Sequence, residues 1–447
     1  MASLDRLPQE VLHLVCSQLP SRDARSFRLV CRALMVVGSS YAFRELILYS
    51  HHKDFAFLGR LLSNPVISRS VRSLRYHGML YDHDISCFRG FARRCFNQDL
   101  EDRSWSYGTP DDTGHSIRRR PQPSGDLLKS SYSKYIEALN DQTVMIEDQS
   151  DFVFFANALR ELPTLEDITV TTVSPRKPWW IPNSPFREDS VFLLPGRGPF
   201  PLGYRYVEAL IHGLKTRPYP GTLRSLHAEG ISWRFFDQSP SALAELGTMF
   251  SNLANFQIRI KTNPRDDGPA KADVLDCRKF LSESRALSNF LAYLGKLERL
   301  GVEFTSRHEH HYDDDAFPTT LDCVLAPGHV WTQLRSLKLG NILSNRHDFL
   351  KALVLQRNTL IDLELSNISL GITSWCQLLP GMKTNLRLQR ASIHCRLCGM
   401  SDGENEDWEV HFVSPLRDGL SNYLTDRTGS IACPLTFENS LELQRTV

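Results

Sequence analysis

The chain has 447 residues, with 52 Lys and Arg against 51 Asp and Glu and a formal net charge of +1. That length suits two or three ordinary domains or one elongated array of repeats. The balanced charge excludes a global electrostatic field that would draw the chain to nucleic acid or to an anionic membrane. We therefore expect a protein partner, and neither a nucleic-acid nor a membrane partner.

The cysteine content and the hydropathy of the sequence indicate the cellular compartment of the chain. The 10 cysteines are scattered, and Asp5 and Arg6 interrupt any signal-peptide pattern at the start. The longest apolar runs fall well short of the ~18 residues that a membrane span needs. We expect an intracellular, reducing location, in the cytoplasm, the nucleus or both. Thiols on apolar helix faces, such as Cys16 and Cys31, are expected to be small core residues.

The first fifty residues predict two amphipathic helices. Pro8 suits the first turn of a helix, and Glu10 complements the N-terminal dipole. A second helix is predicted from Asp23 to Leu34. Two helices of this size cannot close a core alone, so they share their apolar faces with the rest of the chain or with a partner. The apolar positions are Leu7, Val11, Leu14, Val15 and Leu19, then Phe27, Val30, Cys31 and Leu34.

The same residues form a recognisable motif. Leu-Pro-x-Glu-Val-Leu at 7–12, then Val15, Leu19, Asp23 and Arg-Leu-Val-Cys-Arg at 28–32, resembles the F-box, particularly the form common in fungal proteins. The resemblance implies an F-box over residues 1–48 that docks on the Skp-family adaptor of a cullin-RING ubiquitin ligase. It also implies the residues that hold the motif together or bind the adaptor: Leu7, Pro8, Val11, Leu12, Val15, Leu19, Val30 and Cys31.

Two positions depart from the F-box pattern. Ala24 stands where Leu is usual, and Leu34 stands where a bulky aromatic residue is common. Both departures are expected to shrink the apolar face and to weaken the affinity for the adaptor. A helical cap on a larger domain is the alternative interpretation of this region.

Residues 49–97 are expected to form a connecting helix and strand and the first repeat-like unit. A strand is predicted at the end of Tyr41–Tyr49, a helix at Phe55–Leu62 and a second strand at Val71–Tyr76. The chain therefore begins to alternate helix and strand directly after the F-box-like region.

Residues 98–131 differ in composition from the rest of the chain. Asp, Ser, Gly and Pro dominate and apolar residues are sparse, which predicts a disordered insertion. The basic run Arg118–Arg120 is open to two interpretations, a nuclear-import or acidic-partner patch and a solvated loop.

One phrase, Leu-x-x-Leu-x-Leu with tolerant apolar substitution, recurs through residues 132–394. A helical pattern precedes several copies, so helix, turn and short strand form the predicted unit. Such a unit cannot bury its faces alone, but stacked neighbours make one continuous core with a parallel sheet. The copies begin at Leu165, Leu223, Leu253, Leu297, Leu334 and Leu360, and Leu386–Leu388 is a degenerate last copy.

This phrase resembles a degenerate leucine-rich repeat. The resemblance implies an α/β fold in which a helical F-box precedes an irregular leucine-rich-repeat solenoid, with the parallel sheet on the concave face and helices on the convex face. The usual Asn or Cys ladder position is not clean, although Asn341 and Asn367 follow two of the strands. An ordinary α/β domain with a parallel sheet is the alternative interpretation.

Two further segments have predicted roles. Residues 174–206 are rich in proline and contain Trp179 and Trp180, which favours either a substrate-contacting loop or a segment that folds back on the repeats. Residues 395–447 are expected to cap the array, with a strand at Trp408–Val413 and a helix at Leu416–Leu424.

Two segments contain potential metal ligands. His394–Cys398 includes a CxxC pair, but no second pair follows at the usual distance. His308–Tyr312 precedes Asp313–Asp315, but no metal-binding motif frames these residues. No P-loop, dinucleotide fingerprint or nucleophile elbow is present in the sequence. We therefore expect no catalytic residue, no cofactor and no metal site.

The sequence favours a non-catalytic substrate receptor of an SCF-type ubiquitin ligase. In this hypothesis the N-terminal helices dock on the adaptor and the repeats bind an unknown protein target. Two other hypotheses are a repeat scaffold without ligase function and a metal-dependent enzyme that uses the histidine cluster or the CxxC segment. The contacting side chains of degenerate repeats vary freely, so the sequence does not name the target.

Overall fold

A computed structural model describes residues 7–78, 80–81, 85, 87–95, 124–171, 205–217, 220–262, 271–305, 316–401, 403–411 and 414–435. The chain divides into two compact units, residues 1–219 and residues 220–447. The described residues contain ten strands, three in the first unit and seven in the second.

Three short helices begin the first unit: α1 (Gln9–Ser17), α2 (Ser21–Phe27) and α3 (Arg32–Ala42). The single helix predicted from Asp23 to Leu34 is therefore two helices. The first of them closes with tighter hydrogen bonds, from Leu29 N to Ser26 O and from Val30 N to Phe27 O. Cys31 is then extended, with φ −158° and ψ 172°, and this extended residue lets the chain turn so that α3 packs on α1 and α2.

A parallel three-stranded sheet follows in the order β1 (Glu45–Tyr49), β2 (Ser73–His77) and β3 (Asp167–Thr171). Leu46, Leu74 and Ile168 are in register and buried. The strands at 41–49 and 71–76 thus lie where the sequence predicts them. The helices of this unit are α4 (His52–Leu62), α5 (Pro65–Ser68), α6 (residues 88–95), α7 (Gly125–Glu147), α8 (Ser150–Glu161) and α9 (Arg205–Lys215).

The predicted insertion 98–131 overlaps the start of α7. Residues 96–123 lie outside the described residues, whereas residues 125–131 are helical. Ser124 caps this helix by accepting a hydrogen bond from the Leu127 amide. Leu128 and Tyr135 then bury one face of α7 in an aromatic core with Tyr81. Packing against distant residues orders these positions, and their local composition gives no sign of it.

The second unit contains seven strands joined in sequence. The strands are β4 (Ser225–Ser232), β5 (Asn255–Lys261), β6 (Arg299–Thr305), β7 (Ser336–Leu343), β8 (Asp362–Ser369), β9 (Arg390–Ser401) and β10 (Glu404–Val410). Each pairs with the next in parallel, except that β10 is antiparallel to β9. The helices are α10 (Pro240–Met249), α11 (Lys271–Ser284), α12 (Ala286–Ala292), α13 (Leu321–Val324), α14 (Arg346–Leu355), α15 (Trp375–Asn385) and α16 (Pro415–Thr425).

The first six copies of the recurring phrase coincide with strands, whereas the degenerate copy at Leu386–Leu388 lies before β9. The central residue of the phrase is in register across the sheet, as in Leu300, Leu337 and Leu363, and all three are buried. The first leucine of each copy is buried in the turn that enters the strand, as Leu297 and Leu334 are. The parallel helix–strand arrangement is therefore present, while the assignment to leucine-rich repeats stays a prediction.

A hairpin and a helix end the described part of the second unit. The strand predicted at Trp408–Val413 is β10, which begins at Glu404 and ends at Val410. Its buried Glu406 carboxylate accepts hydrogen bonds from Ser374 Oγ at 2.6 Å and from Trp375 N at 2.7 Å, at the N-terminus of α15. The helix predicted at 416–424 is α16.

None of the helices in the described residues is long and apolar enough to span a membrane.

Candidate functional site

The three N-terminal helices share a small core of their own. Leu12 and Cys16 of α1 pack with Leu34 and Val37 of α3, and all four are buried. Burial raises the pKa of the Cys16 thiol, so this cysteine is a neutral core residue. Leu7, Leu19, Phe27, Cys31 and Tyr41 pack around this core and are partly buried.

The apolar stripe of α1 is wider than the core that it covers. Leu12 and Cys16 lie one turn apart on the buried side. Val11 and Leu14 lie on the opposite edge of the stripe, where Val11 is 39% exposed and Leu14 is 66% exposed. Val15 lies between the two edges and is half-buried. One edge of α1 therefore packs inside the helical region and the other presents apolar side chains outward.

The connection between α2 and α3 adds more exposed apolar side chains. Leu29 and Val30 are 78% and 70% exposed, and Met35 and Val36 at the start of α3 are also exposed. Isolated exposed apolar residues are common on protein surfaces, but so many in a short helical region are typical of a binding surface. We call this set the outer apolar residues: Val11, Leu14, Leu29, Val30, Met35 and Val36.

A close helix contact holds this region together. A side chain at Gly38 would have its Cβ 2.8 Å from Arg28 Cβ and 2.9 Å from Arg28 N. The end of α2 therefore approaches α3 at a position that only glycine allows. The Arg28 guanidinium lies 4.9 Å from the centre of the Phe43 ring, where a cation–π contact forms.

Residues 4–39 match the F-box domain family. The match covers α1, α2 and most of α3. Among curated proteins, none matches the chain at a significant level.

The eight residues that the F-box resemblance singles out divide between the inside and the outside of the helical region. Leu12 is buried, and Leu7, Val15, Leu19 and Cys31 are partly buried. The exposed members are Pro8, Val11 and Val30. The set therefore mixes residues that hold the F-box helices together with residues that are free to contact a partner.

The two departures from the F-box pattern lie in the interior. Ala24 and Leu34 are 0% and 1% exposed. The expectation that they shrink the outward apolar face is therefore wrong, because neither side chain reaches that face. Both side chains belong to the interior packing of the helices.

Four outer apolar residues, Leu14, Leu29, Met35 and Val36, are absent from the set chosen by sequence. A signal for one of them, Leu29, is present in the sequence. Leu29 and Val30 are adjacent, and adjacent residues of a helix point about 100° apart, so one narrow buried face does not accommodate both. Met35 and Val36 are also adjacent, but their exposure depends on the position of the α2–α3 break, which the sequence does not predict.

The second unit presents a polar face on its parallel sheet. Arg259 Nη2 lies 2.9 Å from Glu303 Oε2, and Lys338 Nζ lies 3.1 Å from Glu303 and 2.9 Å from Glu364. Burial lowers the pKa of Lys338, but the Glu303 and Glu364 carboxylates outweigh burial and raise it. Burial lowers the pKa of His394 at the far end of this row. The opposite charges at the centre of the polar face are therefore paired with one another.

The CxxC segment lies inside β9. Cys395 has a left-handed backbone, with φ 64°. Cys398 Sγ is 3.9 Å from Asp407 Oδ1, and Arg396 Nε donates to the same oxygen at 2.6 Å. Among the described residues, no three His, Cys, Asp or Glu side chains converge as possible metal ligands.

Several predicted features lie outside the described residues. They are the basic run Arg118–Arg120, the insertion 174–206 as far as residue 204, and the His308–Asp315 cluster. The last two positions of the insertion, Arg205 and Tyr206, begin α9. Arg205 makes two hydrogen bonds to the buried Asp151 carboxylate, at 2.9 and 2.8 Å, which anchors this helix on α8.

Proposed function

We propose that this chain is a substrate receptor of an SCF-type cullin-RING ubiquitin ligase. The observation that carries the proposal is the F-box match over residues 4–39 together with the outer apolar residues of the same helices. F-box domains bind Skp-family adaptors in these ligases. In this function the chain is not catalytic and supplies proximity between a target and the ubiquitin-transfer machinery.

The energetics suit a docking surface of this kind. Full burial of one large apolar side chain contributes about 1.5–3 kcal/mol, whereas association costs at least about 4 kcal/mol before any net binding appears. Burial of two or three of Leu14, Leu29 and Val30 is therefore needed for useful affinity. A single charge placed among them should cancel most of it, because an unpaired charge is costly to bury.

The second unit is the proposed target-binding part. Its sheet carries alternating polar side chains on one face, among them Arg259, Glu303 and Lys338. Discrete charged groups of this kind confer specificity for a protein surface more than raw affinity. The leucine-rich-repeat assignment belongs to this proposal, since it implies a sheet that presents varied side chains from a constant scaffold.

Co-purification of the intact chain with a Skp-family adaptor tests the proposal. The decisive variant is Val30→Asp, for which we expect at least a tenfold loss of adaptor affinity. The matched control is Val153→Asp, which introduces the same charge at a valine of α8 that is 60% exposed and lies outside the F-box. Its adaptor affinity should equal that of the intact chain. Circular dichroism checks that both variants retain the helical content of the intact chain.

Two results would contradict the proposal. One is an intact chain that does not bind the adaptor, which would favour the repeat scaffold without ligase function. The other is equal loss of affinity in Val30→Asp and Val153→Asp, which would indicate a general effect of added charge.

A further inference from the structure

The six turns that enter strands β4 to β9 carry an unbalanced charge. Taken to include the first residue of each strand, these turns comprise residues 220–225, 250–255, 293–299, 328–336, 356–362 and 386–390, all of them described. They contain seven Lys and Arg and only two carboxylates, Glu298 and Asp362. The whole chain is nearly neutral, with 52 basic and 51 acidic residues, so the excess is local. We call the seven basic side chains the basic rim: Arg224, Lys296, Arg299, Arg335, Arg357, Arg387 and Arg390.

The backbone of these turns places the basic rim along one edge of the sheet. Arg299 is in register with Ser336, and the residue before Ser336 is Arg335. Arg390 is in register with Asp362, which is in register with Ser336. The turns are also joined by backbone hydrogen bonds, such as those from Arg335 N and Ser336 N to Glu298 O. Five of the six turns therefore place at least one cationic residue at this edge, where adjacent strands lie about 4.8 Å apart, and the turn 250–255 has none.

Most of these cations have no ion-pair partner among the described residues. Arg224, Arg299, Arg335, Arg357 and Arg387 are exposed, and none of them forms an ion pair with another described residue. Arg390 pairs with Asp362 at 2.8 Å, and Lys296 donates to Asn252. The basic rim thus differs from the polar face of the same sheet, where Lys338 and Arg259 are already paired with carboxylates.

Helix dipoles account for only part of the excess. Four helices, α10, α12, α14 and α15, end at these turns. Each helix C-terminus carries the equivalent of about −0.5 charge, so together they offset about two positive charges. The seven basic residues exceed the two acidic residues by more than that, and an excess of about three positive charges is left to attract a ligand.

We infer that the basic rim binds an acidic peptide segment of the target protein. This inference rests on the proposed receptor function and names the chemistry of its substrate. The rim crosses six strands, or about 24 Å at the usual strand spacing, which an extended peptide of about seven residues spans. Guanidinium groups suit this role because each can bind a carboxylate through two parallel hydrogen bonds.

A peptide fits the basic rim better than a nucleic acid. Glu298 and Asp362 lie among the arginines and would repel a continuous phosphate backbone, whereas a peptide can place its carboxylates at intervals. Single-stranded nucleic acids are also held by stacking on exposed aromatic side chains. Tyr293 is the one exposed tyrosine, tryptophan or phenylalanine in these six turns.

The test measures binding of a fluorescein-labelled peptide of eight glutamates by the full chain, at about 50 mM and about 200 mM salt. We expect binding that weakens as salt rises, because exposed charges are screened. The same peptide with glutamine at all eight positions should not bind.

The rim variant Arg299→Ser, Arg335→Ser should weaken binding of the glutamate peptide at least tenfold. The control variant Lys279→Ser, Lys351→Ser removes the same charge from exposed positions of α11 and α14 and should change binding less than twofold.

Three outcomes would overturn the inference. They are equal binding of the two peptides, equal loss in the two variants, and a single-stranded oligonucleotide of the same charge that binds the rim more tightly than the glutamate peptide. Adaptor co-purification of the same samples separates this inference from the proposed function. Retained adaptor binding without peptide binding contradicts the inference alone, and absent adaptor binding contradicts the receptor function.

Discussion

Four residues of the second unit hold a left-handed backbone within the parallel strands. They are Gly230, Asn341, Asn367 and Cys395, with φ between 51° and 73°. Gly230 and Cys395 coincide with shifts of register on β4 and β9. Asn341 Nδ2 donates to Phe304 O, and Asn367 Nδ2 donates to Asn341 Oδ1. The two asparagines therefore satisfy backbone and side-chain groups where the ladder is irregular, and asparagine tolerates this conformation better than most residues.

Replacing Asn341 by alanine, Asn341→Ala, should destabilise the second unit by about 2–3 kcal/mol. The change removes two hydrogen bonds, each worth about 1 kcal/mol. Alanine also has no polar side chain to stabilise a left-handed backbone, which costs about 1 kcal/mol more. Urea unfolding followed by tryptophan fluorescence measures this loss. Asn341→Gly loses the same hydrogen bonds but keeps the backbone preference, so it should be less destabilised than Asn341→Ala. Equal destabilisation would contradict a role for the left-handed backbone.

The sequence predicts part of this residue-level detail. Asn341 and Asn367 attract attention because each follows an apolar strand phrase. The hydrogen bond between them is not predictable without the register of β7 and β8, which brings the two residues together. Cys395 has no such signal, because cysteine has no preference for positive φ and the register shift on β9 decides its conformation.

At the scale of elements, the apolar period predicts the positions of the helices and strands well. Six copies of the repeated phrase lie at strands, because their apolar residues alternate with polar residues and fall on one buried face. The break between α2 and α3 is not predictable in this way. The apolar spacing continues through Val30 and Cys31, and the break depends on the close approach of Arg28 and Gly38.

Gly38→Ala tests the importance of that approach for the F-box. Its Cβ would meet Arg28 backbone atoms at 2.9–3.0 Å, so α2 and α3 must separate, and we expect a cost of about 1–3 kcal/mol together with weaker adaptor binding. The control is Gly59→Ala in α4, where no atom lies within 4 Å of the added Cβ. This control should stabilise the chain by about 0.5–1 kcal/mol, since alanine favours helix over glycine. A Gly38→Ala variant as stable as the control would contradict the packing argument.

At the scale of the whole molecule, each unit has its own buried or half-buried titratable groups. In the second unit, burial lowers the pKa of His329 and, with partial opposition from Glu364, that of His394. In the first unit, burial raises the pKa of Glu208 above its usual 4.5, with partial opposition from Arg205. Mild acid therefore acts in opposite directions on the two units. It protonates two histidines whose charged form is disfavoured by burial in the second unit. It also protonates Glu208, whose neutral form is favoured by burial in the first unit.

The second unit should consequently lose stability as pH falls below about 6.5, the pKa of histidine in an unfolded chain. Below that pH the unfolded state binds more protons than the folded state, and the free energy of unfolding decreases as pH decreases. Trp233, Trp331, Trp375 and Trp408 all lie in this unit and are the tryptophans among the described residues. Tryptophan fluorescence, to which these four residues contribute, should give a lower urea midpoint at about pH 5.5 than at about pH 7.5. The double variant His329→Gln, His394→Gln should lose most of the difference between the two urea midpoints, because glutamine does not titrate. An unchanged difference in this variant would assign the pH dependence to other groups.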